Sequence, residues 1–253
     1  SSLITGNSAA NSGGGVYINA GILTLQGTDN GGGSFSYARI SSNSATLGGG
    51  IYAINSTVNT DLAQINNNSA SFGGGMNLES SLLNLYRSEV YSNTATYDGG
   101  GVLINNAGKA DIERSTIADN TAGRYGGGVY ATVNQLNVIN STVSGNSSAS
   151  LGGGIYFAGT DSLNLTYSTI ANNVANTAAT SGISAGGGVY QSSGTLNMVN
   201  TILAQNYQKS VADSNRDDYY ATGSTKAGSI TYSIIGVNNQ AAFFTGDGMI
   251  RMG

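Results

Sequence analysis

A glycine triplet followed by an apolar residue, and usually by tyrosine, recurs seven times along the 253 residues. It reads GGGVY from Gly13, GGGIY from Gly48, GGGMN from Gly73, GGGVL from Gly99, GGGVY from Gly126, GGGIY from Gly152 and GGGVY from Gly186. Successive copies start 35, 25, 26, 27, 26 and 34 residues apart. A short unit repeated at a near-constant period cannot bury an apolar face by itself. Its neighbours must supply the rest of the core, which makes a solenoid.

A second ladder accompanies the first, an apolar residue three positions before an asparagine. Its asparagines are Asn7, Asn43, Asn68, Asn93, Asn120, Asn146, Asn173, Asn206 and Asn238, nine passes in all. Between the two ladders lies an apolar stretch of period two, as in Leu136 and Val138 or Leu163 and Leu165. Alternation at that period marks a strand buried on one face. Each coil of about 26 residues then holds three short strands, placed in the coil from Gly126 near Val129–Ala131, Leu136–Ile139 and Ser141–Val143. Units this short leave no room for crossover helices. The expected fold is all-β, a right-handed parallel β-helix forming one domain over 1–253. Nine coils at the usual strand spacing give a rod about 43 Å long.

The residue types fit the corners. Glycine tolerates positive φ and close backbone approach; asparagine accepts the left-handed region, and its amide can bond to the next coil. Val16, Ile51, Met76, Val102, Val129, Ile155 and Val189 should form an inward column, and two residues later Gln191 is a misfit among Ile18, Leu78, Ile104 and Phe157. By alternation Tyr17, Tyr52, Tyr130, Tyr156 and Tyr190 point outward. They are read either as cross-coil packing or as a stacking strip for sugar rings. Three stretches break the period, at 27–37, 174–185 and 207–229, and are expected to be loop insertions. The last holds Asp213, Arg216, Asp217 and Asp218, a candidate binding loop against the plainer reading of a solvated segment.

Composition narrows the function. The net charge of −4 offers no basic stripe for nucleic acid. Cysteine and histidine are absent, so thiolate and imidazole metal sites are excluded, and no cofactor is expected. No apolar run reaches the length of a membrane span. For glycoside hydrolysis, which takes a pair of carboxylates, the best strand-borne candidates are Asp111 and Glu113, expected to lie near Glu89 and Arg87. Lys109 and Arg114 beside them suggest a surface ion-pair patch instead.

The paired motifs resemble the repeats of polymorphic outer membrane proteins and other autotransporter passengers, with Ile, Val or Leu where those have Phe before x-x-Asn. LNVINSTVSGNSSA from Leu136 and LNLTYSTIANNVA from Leu163 are similar to repeats of bacterial right-handed parallel β-helix surface proteins, as are NTILAQN from Asn200 and YSIIGVNN from Tyr232. The resemblance spans nearly the whole chain. It implies an exported, surface-anchored or adhesive protein, commonly without enzymatic activity, and brings no active-site residues with it. The expected role is a structural subunit of an extracellular fibre or layer, stacking head to tail on copies of itself through Leu3, Ile4, Phe243 and Phe244. The alternatives are an adhesin that binds glycans or other surface proteins, and a polysaccharide lyase or hydrolase.

Overall fold

The structure, a computed structural model, describes residues 2–178, 185–209, 214–222, 225–236 and 250–251. Among these there is no helix. The strands stack coil upon coil into one ten-stranded and three eight-stranded sheets, parallel except for a single antiparallel pair at the edge of one of them. This is a parallel β-helix.

The coil from Gly126 shows the plan. Val129–Thr132 lies in what we call the tyrosine sheet, Gln135–Ile139 in the asparagine-faced sheet and Thr142–Ser144 in the threonine sheet. These are the three expected strands. A fourth, Ser147–Ser148, adds a short alanine-lined sheet after the asparagine corner. A two-residue strand shows only one inward side chain, here from the column Ala70, Ala95, Ala122 and Ser148. Period-two alternation therefore has nothing to register.

The glycine triplet and the asparagine ladder are two halves of one corner. Gly73 sits at φ +64°, and a Cβ there would stand 2.7 Å from the Cβ of Asn77. A Cβ on Gly74 would lie 2.5 Å from the carbonyl oxygens of both Gly100 and Thr94 in the next coil. A Cβ on Gly75 would lie 2.6 Å from the Gly101 carbonyl and 3.0 Å from the side-chain amide of Asn93. The first glycine is needed for its dihedral angle, the other two for the close approach of the next coil.

Asn93, fully buried, shows what that space serves. Its backbone N–H and its Nδ2 both donate to Oδ1 of Asn120, each at 3.0 Å. Nδ2 also donates to the Ile65 carbonyl at 2.9 Å, and Oδ1 accepts the same pair of bonds from Asn68. The pattern runs from Asn43 to Asn206. The side-chain oxygen and both amide hydrogens of Asn93 are thereby satisfied, as a solvent-free interior requires. Asn238 lies outside the described residues; the acceptor after Asn206 is Asp218, which takes bonds from its N–H and Nδ2 at 2.7 and 2.8 Å.

A further ladder, of hydroxyls, runs beside the asparagines. Ser88, Ser115, Ser141, Ser168, Thr201 and Ser233 each stand two residues before the corner's apolar residue, and each hydroxyl oxygen accepts the backbone N–H of the coil before. The recurring Ser-x-Ile/Val spacing carries that signal.

Replacing Asn120 by Ala strands both N–H donors of Asn93. At about 1–3 kcal/mol for each buried unpaired donor, the loss should be about 2–6 kcal/mol. Asn7, exposed at the ladder's first rung, donates only to Asn43, and Asn7→Ala should cost under about 1 kcal/mol. Chemical denaturation of the two variants measures the contrast.

Candidate functional site: the tyrosine column and the carboxylates

Stacking each coil about one strand spacing above the last brings equal positions into contact. In the outward column of the tyrosine sheet, Tyr130 and Tyr156 stack at 4.9 Å between ring centres with planes 7° apart, and Tyr156 and Tyr190 at 5.3 Å and 9°. Tyr190 stacks in turn on Tyr220 at 5.5 Å, and Tyr125 on Tyr156 at 5.2 Å. Tyr17 and Tyr52 form a separate pair at 5.7 Å, cut off by Asn77 and Leu103 in the same column. The rings stack on one another along the rod, so the faces of Tyr156 are engaged by tyrosines of the coils on either side. Burial pushes the Tyr130 phenol up to about 12 and raises those of Tyr156 and Tyr190. Tyr52 is only 7% exposed; burial and its 2.9 Å bond to Glu79 raise its phenol to about 12. This arrangement gives aromatic packing of offset-stacked type and leaves a sugar mostly ring edges and hydroxyls.

Tyr220 was not anticipated because its glycine phrase is missing. Tyr219 pairs with Val189, and the carbonyls of Asp217 and Asp218 accept the N–H groups of Gly188 and Val189. Arg216-Asp217-Asp218 therefore occupies the place of the triplet. The stretch 207–229, expected to be a loop, carries a further pass of the solenoid. Tyr207–Lys209 pairs antiparallel with Ser214–Arg216, Tyr219–Ala221 joins the tyrosine sheet and Thr225–Thr231 the asparagine-faced sheet. Of the proposed binding residues there, Arg216 is exposed, whereas Asp217 and Asp218 are fully buried. Asp213 lies outside the described residues, as do Phe243 and Phe244. The stretch 27–37 does form an excursion, a hairpin pairing Thr28–Asp29 with Phe35–Ser36. Leu3 is 61% exposed, and Ile4 packs partly buried against the core.

The same pass explains Gln191. Tyr219 fills the inward apolar column, and its phenol donates to Oε1 of Gln191 at 2.9 Å, while Gln191 Nε2 donates to the Ser193 carbonyl. Both are fully buried. One misfit accommodates the other.

Asp217 Oδ2 accepts the N–H groups of Ala185 and Gly186 at 3.0 and 2.8 Å. Those bonds favour the carboxylate, but burial outweighs them and, with Asp218 beside it, lifts Asp217 to about 6.

On the asparagine-faced sheet, Asp111 and Glu113 flank Ile112 as expected, and cations meet both. Lys109 pairs with Asp111 at 3.0 Å and Arg114 with Glu113 at 3.5 Å. Arg87 does not join them: it forks onto Asp61 at 2.7 and 2.8 Å, with Asp29 of the hairpin 3.7 Å away. Glu89 lies on the threonine sheet and accepts Gln64 Nε2. Sequence spacing placed these groups on the right coils but could not tell which corner each side chain turns around. Among the described residues no group of three acidic side chains is gathered as a metal site would need, and no helix is long and apolar enough to cross a membrane.

The chain matches no known protein family, no characterised protein and no solved structure.

Two outcomes are expected. Gln191→Leu removes the Oε1 that accepts the Tyr219 phenol, leaving that hydroxyl its bond with Thr225, and should cost about 1–3 kcal/mol, part of which the double variant with Tyr219→Phe should restore, as a double-mutant cycle measures. For Asp217, the folded value near 6 stands above the ordinary unfolded value of about 3.9. The native state thus holds its proton more tightly. Stability should fall as pH rises from 4 through 6, by about 2–3 kcal/mol from this group. Asp217→Asn should flatten that part of the profile in denaturation midpoints.

Proposed function

We propose that the chain is a non-enzymatic structural rod of an extracellular layer or fibre, extended by end-to-end stacking of copies. The observation that carries the reading is the pair of buried ladders, asparagine and serine, that tie each coil to the next by side-chain as well as backbone bonds. Such a column resists bending and shear. The outward columns add to it, since tyrosines stack on tyrosines and carboxylates are taken up by neighbouring cations.

End-to-end stacking of copies would repeat between chains the parallel coil-on-coil pairing that runs along each sheet. A head-to-tail contact that does not close on itself yields a filament. Export and surface attachment rest on the resemblance to passenger repeats.

Electron microscopy of the native full-length protein over a concentration series tests this. Filaments of continuous β-stacking are expected. Dispersed single rods at every concentration would overturn the assembly mode.

A further inference from the structure

The outward face of the asparagine-faced sheet carries its own amide column, Asn59, Asn84, Asp111, Asn137, Asn164 and Asn197, all in register. Each amide donates to the coil before it. Asn84 donates to Asn59 at 2.8 Å, Asn137 to Asp111 at 2.6 Å, Asn164 to Asn137 at 2.7 Å and Asn197 to Asn164 at 2.7 Å. One rung is missing. Asp111 carries no amide N–H to offer its register partner Asn84, and no bond joins the two side chains.

A groove of about 330 Å³ opens at that rung. Asn84, Asp111 and Glu113 bring oxygen acceptors to it, Glu113 being 42% exposed with its one ion pair at 3.5 Å. Lys109, 49% exposed, brings ammonium N–H groups beyond the one that meets Asp111. Ile139 and the ring of Tyr86 form apolar walls. The ring is steadied by the guanidinium groups of Arg87 and Arg114, 5.1 and 5.8 Å from its centre. Converging acceptors, one donor and an apolar wall suit a ligand that presents many hydroxyl donors on a carbon frame. A bare carboxylate ligand would meet Asp111 and Glu113 with like charge.

We propose that this groove, at the broken rung between Asn84 and Asp111, binds a neutral glycan chain, whose hydroxyls donate to Asp111, Glu113 and the Asn84 oxygen and accept from Lys109. The site is independent of end-to-end stacking and of the tyrosine column.

The test is calorimetric titration of the full chain with cellohexaose and maltohexaose, with a hexauronate and calcium chloride as comparisons. One shallow groove should hold a neutral hexasaccharide with Kd on the order of 0.1–1 mM, shifting the side-chain amide resonances of Asn84 and Asn137. Asp111→Asn completes the ladder. It should keep or raise the melting temperature while weakening binding at least tenfold, and Tyr86→Ala should weaken it similarly. Three results would each overturn the assignment: no neutral hexasaccharide bound at 10-fold the upper Kd, binding unchanged in Asp111→Asn, or tighter binding of the hexauronate or of calcium alone.

Discussion

A primary amide has two N–H donors and an oxygen that accepts twice, and this balance allows asparagine to repeat at a buried corner without limit. In each coil the oxygen takes two bonds from the coil before, while backbone and side-chain nitrogens give two to the coil after. The remaining amide hydrogen closes on a carbonyl of the strand below. The arrangement requires neighbouring backbones close enough for the oxygen to reach, and that distance excludes any Cβ from the second and third glycines of the triplet. Glycine corner, asparagine ladder and strand spacing are therefore one constraint. The apolar columns fill the space that it encloses.

Carboxylates mark where such ladders change. Asp218 accepts from Asn206 as another asparagine would, yet an ionised carboxylate has no hydrogen to pass on. Asp111 does the same on the outer face, with the opposite consequence for solvent. Inside, the acid takes the place of an asparagine beside a second buried acid. Outside, it lines a polar groove. One exchange, amide to carboxylate, thus recurs at an interior corner and on the surface.

The sequence made the parallel solenoid, the glycine and asparagine corners and the inward columns legible, because each repeats the same chemistry at the same spacing. What escaped it was carried by single residues. The fourth sheet shows one small inward residue per coil, alanine or Ser148, too little for a period. The pass through Tyr219 was hidden when Arg216-Asp217-Asp218 replaced the triplet, although Tyr219-Tyr220 kept the phrase's end. The misfit at Gln191 was visible, but its partner Tyr219 was still assigned to a loop. Charged side chains were the least legible. Asp111, Glu113 and Arg87 lie on adjacent coils, yet corner geometry sends Arg87 to Asp61 and leaves Glu113 to Arg114.

The amide ladder is tested most directly by native-state hydrogen exchange of the backbone N–H groups of Asn68, Asn93, Asn120, Asn146 and Asn173. Each donates to a buried side-chain oxygen rather than within a strand. If the ladder holds the coils together, these amides exchange only through global unfolding, as slowly as the central strand amides. Exchange at the rate of ordinary turns, with the strands still protected, would contradict that account and leave the backbone sheets alone to hold the rod.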